Sequence, residues 1–495
     1  MMVNKATVAP RIRPSFARKS SAASGFFFCG MIEEPVVHLS ESRTNRNCAE
    51  DQITSSSAKR DRCMAVIEAA ERNSSAKSRS ETESRLFAVG RSKPRAAAVA
   101  WRSIGKLVPA SAAAPAAAPQ QVILISIDGF RADYLQRGAT PVLAQLAAEG
   151  ASGPMKPSFP SVTFPNHYTL VTGLHPDHHG IVGNNMIDAE LGRFSLGAKQ
   201  AVTDRRWWDQ GEPIWVSAEK AGVKTATMFW PGSEADIRGV RPSYWTTFDQ
   251  GMPGDARVDR VLQWMDLPAD QRPQLITLYF DIVDTQGHHN GPDAPETAEA
   301  IRSVDASIGR LVEGLKARGL YERTVLVVVS DHGMAGTSPE RVTWIDDLID
   351  PSAIQIVYSG AVTFLNPVSG REAEVEAALL GSRPHLDCWR KSEIPARFVL
   401  GSNPRVSAIV CASEPGWTFT TRARPVTKPG GAHGYDNFSP DMAAIFIAHG
   451  PGVVQGRRLT DLDSVDVQPF LARLLRIDAP RGDGRAEDTL PVTTR

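Results

Sequence analysis

Val122-Ile-Leu-Ile-Ser-Ile127 runs straight into Asp128-Gly129, and two later stretches repeat the arrangement. Leu275-Ile-Thr-Leu-Tyr-Phe280 leads to Asp284-Thr-Gln-Gly-His288, and Thr324-Val-Leu-Val-Val-Val-Ser330 ends in Asp331-His332-Gly333. Apolar runs of this length, rich in Val and Ile and without polar alternation, predict strands buried on both faces of a parallel sheet. In open sheets of that kind, ligands bind beyond the carboxyl ends of the strands. Residues far apart in sequence are therefore expected to meet along one sheet edge.

The flanking sequence supports the same class. Thr140 suits a helix N-cap, Pro141 the first helical position and Gly150 the stop, with Val142, Leu143, Leu146 and Ala147 on one face. A helix near Pro213–Ala221 precedes a strand near Thr225–Phe229. From Ala294 to Arg318 the spacing of Ile301, Val304, Ile308, Leu311, Val312 and Leu315 predicts a long amphipathic helix. Ala443–Ile447 supplies a further strand. Alternating strands and helices imply an α/β fold, a mostly parallel central sheet with helices on both faces. Residues from about 350 to 420 break the rhythm. Ile354–Tyr358 and Ala361–Leu365 suggest a hairpin around Ser359-Gly360, Glu372–Leu380 a helix, and Arg397–Leu400 and Ala408–Cys411 short strands. This stretch is expected to form a small α+β insertion within a catalytic domain of residues 119–490.

Lys+Arg and Asp+Glu both number 55, so the chain lacks the broad basic field that holds nucleic-acid polymers. A small nucleotide stays compatible, because a metal site supplies local positive charge. No apolar run reaches the roughly 20 residues of a membrane-spanning helix. With no Cys-x-x-Cys pattern, thiolate zinc binding is disfavoured. Cys388 and Cys411 are read either as a disulfide of an exported protein or as two separate buried thiols. Residues 1–118 are rich in Ser, Arg, Lys and Ala and end in the linker-like Ala112-Ala-Ala-Pro-Ala-Ala-Ala-Pro119. They are expected to be disordered, or to reflect a start codon set upstream of the true one, and no signal peptide is readable in them.

A lone Asp or His after a strand as often caps a helix as binds a ligand. Here several coincide. Asp284 and His288 are four apart, so both can point to one ion. Asp331 and His332 leave a strand end together. His433 stands in Gly430-Gly-Ala-His-Gly-Tyr435, whose glycines permit close backbone approach. Three carboxylates and three imidazoles suit a pair of zinc ions.

Ile127-Asp-Gly-Phe-Arg131, Pro160-Ser-Val-Thr-Phe-Pro-Asn-His167, Asp284-Thr-Gln-Gly-His288, Asp331-His-Gly-Met334 and Gly431-Ala-His-Gly-Tyr435 occur in that order. Together they resemble the nucleotide pyrophosphatase/phosphodiesterases of the alkaline phosphatase superfamily, over roughly residues 120–479. The resemblance implies a two-zinc site, with Asp284, His288 and His433 on one ion and Asp128, Asp331, His332 and Thr163 on the other. It implies Thr163 as nucleophile, through a phosphothreonine intermediate. Asn184 would bond a phosphate oxygen, Phe164 would stack a nucleobase and Phe248 would be a second aromatic contact. It also implies a periplasmic or secreted location and a small nucleotide or phosphodiester substrate. Trp245 is expected in the core. His175, His178, His179 and His449 are read as structural, and His289 as a supporting neighbour of His288.

Other readings are weaker. Thr163-Phe-Pro-Asn166 lacks the Cys or Ser sequence of a sulfatase. Thr163 and the neutral Asn184 disfavour a phosphomonoesterase or mutase, where a serine and guanidinium clamps are usual. A phospholipid or choline-phosphate diesterase would share the metal site and differ in the pocket. A catalytically silent binding protein would have lost ligands. One expectation follows from composition alone: a chain beginning at Pro119 should match the full-length protein in melting temperature and turnover. A marked fall in melting temperature on truncation would assign residues 1–118 a structural role.

Overall fold

The computed structural model describes residues 120–485 together with Glu487, Thr489, Val492 and Thr493. The expectation for residues 1–118 lies outside the described residues. Ten elements position the site. Strand β1 spans Gln121–Ile127, helix α1 Pro141–Glu149, β2 Ala151–Lys156 and α2 Thr163–Thr172. Strand β3 follows at Thr225–Met228, β4 at Leu275–Phe280, α3 at Ile282–Asn290 and α4 at Pro295–Ala317. Strand β5 spans Thr324–Val329 and β6 Ala444–His449.

These strands belong to one sheet. It runs Arg457–Arg458, β2, β6, β5, β1, β4, β3 and Tyr244–Trp245, with Leu462–Asp463 also on β2. At its centre β1 lies parallel between β4 and β5, with Ile127 opposite Phe280 and Ser126 opposite Val329. The three runs read from the sequence are thus neighbours whose carboxyl ends share one edge. The sheet is mixed: β6 is antiparallel to both β5 and β2. An antiparallel neighbour needs no crossover helix, and β6 is entered from short strands and turns.

Sequence alternation is missing from the central strands because both faces are covered. Val122 and Leu124 enter one apolar cluster with Val325, Val327 and Val329. Ile123, Ile125 and Ile127 enter the opposite one with Leu326 and Val328. The stripe of α4 packs into that second cluster, where Ile301, Val304, Ile308, Leu311, Val312 and Leu315 are all buried.

Helix α1 begins at Pro141 with Thr140 at the N-cap position, but the capping hydrogen bonds come from elsewhere. The Thr140 side chain makes no cap bond, and its buried hydroxyl lacks a partner. The carboxylate of Asp305, on α4, instead accepts the Val142 N–H at 3.1 Å and the Leu143 N–H at 2.9 Å. A charged acceptor is favoured over a hydroxyl at the positive end of a helix. Burial raises the Asp305 carboxyl above its ordinary range.

Residues 354–413 form a separate antiparallel sheet, ordered Ile354–Tyr358, Val362–Pro367, Ile409–Ser413, Leu386–Arg390 and Gly381–Arg383. Helix Glu372–Leu379 covers it. Cys388 and Cys411 face each other across two of these strands and are joined by a disulfide. Arg397–Leu400 is not a strand: Ala396–Phe398 is a 3-10 turn, and Val399 adopts a left-handed φ of 48°. That stretch is too short and too turned to join a ladder.

The cap assignment is testable. Asp305→Ala should cost about 1–2 kcal/mol of unfolding free energy, the usual loss of a helix cap, whereas Thr140→Ala should cost far less. Equal shifts of the urea midpoint for the two variants would contradict the assignment.

Candidate metal centre

The sheet edge delivers the ligands. Asp128 follows β1, and its N–H bonds the Phe280 carbonyl at 2.9 Å. Asp331 and His332 follow β5. Asp284 and His288 sit one turn apart on α3, the helix entered directly from β4, so both face one way. His433 follows the short strand Gly430–Ala432, which pairs with Ala335–Thr337. That strand lies close against α3: a Cβ on Gly431 would stand 2.5 Å from the Gly287 carbonyl. Only glycine allows the approach.

Two groups result, Asp284/His288/His433 and Asp128/Asp331/His332, each with its ligand atoms within 4.8 Å of one another. In the first, Asp284 Oδ1 lies 3.5 Å from His288 Nε2 and 3.6 Å from His433 Nε2. In the second, His332 Nε2 lies 3.0 Å from Asp331 Oδ2 and 3.6 Å from Asp128 Oδ1. The rings of His332 and His433 stack at 3.6 Å, which sets the groups side by side. Thr163 Oγ1 lies 3.4 Å from His332 Nε2.

Hydrogen bonding fixes how the imidazoles face. His288 Nδ1 lies 2.9 Å from the Gly431 carbonyl, His433 Nδ1 3.0 Å from the Ser161 carbonyl and His332 Nδ1 2.9 Å from the Gly333 carbonyl. A carbonyl only accepts, so each Nδ1 carries a proton, and in the neutral ring each Nε2 presents a lone pair. His433 Nε2 and His288 Nε2 are then two lone pairs 3.0 Å apart. Buried Asp128 Oδ1 and Asp284 Oδ1 also lack a protein hydrogen-bond donor. Burial, then repulsion from Asp331 and Asp284, pushes the Asp128 carboxyl well above the usual carboxylate range. Burial, then the neighbouring His332 and His288, holds the His433 imidazole well below its usual range. Every one of these features is relieved by cations between the donors, and an all-N/O set without thiolate fits divalent zinc.

Supporting residues complete the frame. The Gly129 N–H donates to Asp331 Oδ1 at 3.1 Å, and the Tyr279 hydroxyl to Asp128 Oδ2 at 2.6 Å. His167 Nδ1 lies 2.9 Å from the Thr163 carbonyl and 3.2 Å from Asp331 Oδ2, and its Nε2 lies 2.8 Å from Ser126 Oγ. Tyr279 and His167 had no assigned role in the sequence reading. Tyr279 sits within an apolar run, and the one available signal for His167 was its place one helical turn beyond Thr163.

Thr163 is the first residue of α2. The cap position belongs to Val162, and no side chain caps from there. The Phe164 N–H is instead taken by Asn184 Oδ1 at 2.9 Å. Pro165 has no N–H, and the Asn166 N–H bonds the Val162 carbonyl at 3.2 Å. The helix start therefore offers fewer free donors than its sequence suggests. Phe164 lies 6.0 Å from both Phe194 and Trp208. Phe248 is 42% exposed, with its ring edge-on to Phe229 at 5.1 Å and 6.0 Å from Tyr279. Trp245 is not a core residue: it is 40% exposed, with Arg241 over its ring at 4.8 Å. It sits on a two-residue strand at the end of the sheet's order among the described residues.

The remaining histidines stand outside both groups. His179 is buried between Thr169 Oγ1 and the Pro165 carbonyl, and burial lowers its pKa to about 3. His175 meets Ser158, His178 meets Asp483 and His449 stacks on Tyr321. His289 is exposed.

If uncompensated carboxylates strain the metal-free site, Asp128→Asn should raise the melting temperature of chelator-treated protein by roughly 1–2 °C, a gain of about 1 kcal/mol. The same variant should lose most of the stabilisation that added zinc gives the wild type. A lower melting temperature for metal-free Asp128→Asn would show that the site is self-sufficient.

Comparison with known proteins agrees with this geometry. Residues 122–436 match the family model described as type I phosphodiesterase / nucleotide pyrophosphatase. An uncharacterized pyrophosphatase/phosphodiesterase of Schizosaccharomyces pombe is 40% identical over 387 residues, covering 75% of this chain and 80% of the relative. Ectonucleotide pyrophosphatase/phosphodiesterase family member 1 of Homo sapiens is 33% identical over 377 residues, covering 73% of this chain and 40% of the relative, so the chain spans less than half of that protein. The solved structure of murine ectonucleotide pyrophosphatase/phosphodiesterase 5 superposes with a TM-score of 0.73 at 33% identity, covering 76% of this chain and 100% of that one. An inactive variant of the same murine protein, solved with AMP, gives 0.72. A match over most of the sheet and both ligand groups has one reading: the chain belongs to the type I phosphodiesterase/nucleotide pyrophosphatase family.

Proposed function

We propose that this protein is a two-zinc hydrolase that cleaves nucleotide phosphodiester or pyrophosphate bonds and releases nucleoside 5′-monophosphates by way of a threonine-linked intermediate. The observation that carries the reading is a threonine hydroxyl at a helix start, 3.4 Å from an imidazole Nε2 lone pair and beside two N/O ligand groups. Asp284, His288 and His433 would hold one ion and Asp128, Asp331, His332 and Thr163 the other, and the pair would supply Lewis-acid activation and charge neutralisation.

The chain's own residues do the rest. Thr163 Oγ attacks phosphorus in line. Its bond to phosphorus forms as the bond to the leaving oxygen breaks, and the threonine proton passes to solvent. Water then opens the phosphothreonine and frees the hydroxyl. Asn184 spends Oδ1 on the Phe164 N–H, which leaves its Nδ2 to donate to a phosphoryl oxygen. A neutral donor suits a singly charged diester better than a monoester. Phe164 and Phe248 would flank a base. The murine neighbour held as an inactive variant with AMP supports both the nucleotide and the need for an intact site. A disulfide in the second sheet and the ecto- and venom proteins among the relatives support an exported location. No helix among the described residues is long and apolar enough to cross a membrane.

Thr163→Ala should keep fold and zinc yet lose most turnover, while Thr163→Ser retains a substantial part. Near wild-type rates for Thr163→Ala would remove the covalent step. For specificity, stacking contributes roughly 1–3 kcal/mol per base. Phe164→Ala should therefore slow nucleotide hydrolysis by about ten- to a hundredfold and spare a small aryl phosphodiester. Faster turnover of choline-headgroup lipids than of any nucleotide would replace the substrate assignment.

A further inference from the structure

The stretch that carries Asn184 is held by a residue from a distant part of the chain. Arg405 follows the second sheet's strand Leu386–Arg390, and its side chain is 3% exposed. Its guanidinium reaches both ends of the stretch that carries Asn184. Nη1 donates to the Gly180 carbonyl at 2.9 Å, and Nε donates to Asp188 Oδ2 at 2.8 Å. The same group holds the next turn. Nη1 also donates to the Trp207 carbonyl at 2.7 Å, Nη2 to the Arg206 carbonyl at 3.2 Å, and the guanidinium lies 4.9 Å over the Trp207 ring.

Both branches end at Phe164. Strand Asn185–Asp188 pairs with Gly192–Ser195, whose Phe194 lies 5.3 Å from Trp207 and 6.0 Å from Phe164. Trp208 lies 6.0 Å from Phe164. Asn184 closes the circuit through the Phe164 N–H. Arg405 is itself fixed. The Asp177 carboxylate accepts the N–H groups of Gly401, Ser402 and Asn403 at 3.0, 2.9 and 2.8 Å, which ties the arginine's segment to the turn before Gly180.

We propose that Arg405 is a positioning residue that sets Asn184 against the start of α2. It acts through Asn184 and so rests on the function assigned above to that residue. The stretch from Gly180 to Asn184 contains two glycines and has little stiffness of its own. A planar fork of five donors can serve three carbonyls and a carboxylate in fixed relative positions, and a lysine ammonium cannot hold the same geometry. Asn184 without this support keeps its chemistry and loses its place.

The test is a double-mutant cycle in the full-length, zinc-loaded protein. kcat and KM are measured on a dinucleoside polyphosphate for wild type, Arg405→Lys, Asn184→Ala and the double variant. Arg405→Lys should lower kcat/KM by about ten- to a hundredfold, the usual result of misplacing a contact by an ångström or so. Zinc content should stay at the wild-type level. In the Asn184→Ala background the same change should cost severalfold less than in the wild type, because the branch through Asn184 is gone and only the aromatic branch to Phe164 remains. Additive losses would overturn the inference, since general loosening of the fold is blind to Asn184. Should Arg405→Lys not fold, Asp188→Asn keeps the guanidinium, removes one of its anchors and is read in the same cycle. If Asn184→Ala alone leaves kcat/KM unchanged, the role assigned to Asn184 falls and this inference with it. An active Asn184 with additive variants sinks the inference alone.

Discussion

Three carboxylates that repel one another stand at the ends of three strands that cannot move apart. The parallel register of β1, β4 and β5 fixes Asp128, Asp284 and Asp331 within a few residues of one edge. Hydrogen bonds inside those strands, and apolar packing on both their faces, resist any relaxation. The backbone then turns His288, His433 and His332 the same way, with Nδ1 bound to a carbonyl and Nε2 aimed at the carboxylates. Sheet formation therefore concentrates negative potential, and the potential defines the ligand. Residues around the site serve this geometry. Gly431 lets the His433 strand lie against α3, and Tyr279 and the Gly129 N–H satisfy the carboxylate oxygens left over.

A second theme is that helix starts are completed from afar. α1 takes its cap from Asp305 on α4, and α2 takes its cap from Asn184 in a loop. Each bond joins two layers that local sequence would leave independent. In α2 the consequence is chemical: the residue that completes the helix bonds the N–H next to the proposed nucleophile. Arg405 extends the principle by one further step, since it holds the loop that holds the helix.

Much of this was legible in the sequence, and the reason is local. The central strands announce themselves because burial on both faces removes polar alternation. The long stripe of α4 is visible because a 3.6-residue period needs no partner to be read. The candidate metal ligands stood out because each closely follows such a run or stands in a glycine-rich turn. What escaped depended on pairing across the chain. The antiparallel direction of β6 follows from its route of entry, which an apolar run does not encode. Thr140 looked like a cap because its identity and position fit, and only the packing of α4 on α1 brought a stronger acceptor. Trp245 looked like core by composition, and it lies outward because nothing pairs with the far side of its strand. Tyr279 and His167 were invisible as supporting groups, since a side chain between two ligands has no signature in a single sequence.

The Asp305 cap also bears on the order in which the molecule assembles. Leu143 and Asp305 are 162 positions apart. A nine-residue helix is too short to persist in water by itself. During synthesis α1 therefore leaves the ribosome well before the carboxylate that completes it, and waits as a fluctuating segment until α4 has been made. Beside it, β1 waits for both flanking strands, which come later in the chain. β1 and α1 are thus made early and completed only when α4 and β5 have followed, and the site at the strand ends takes shape only after His433 has been added.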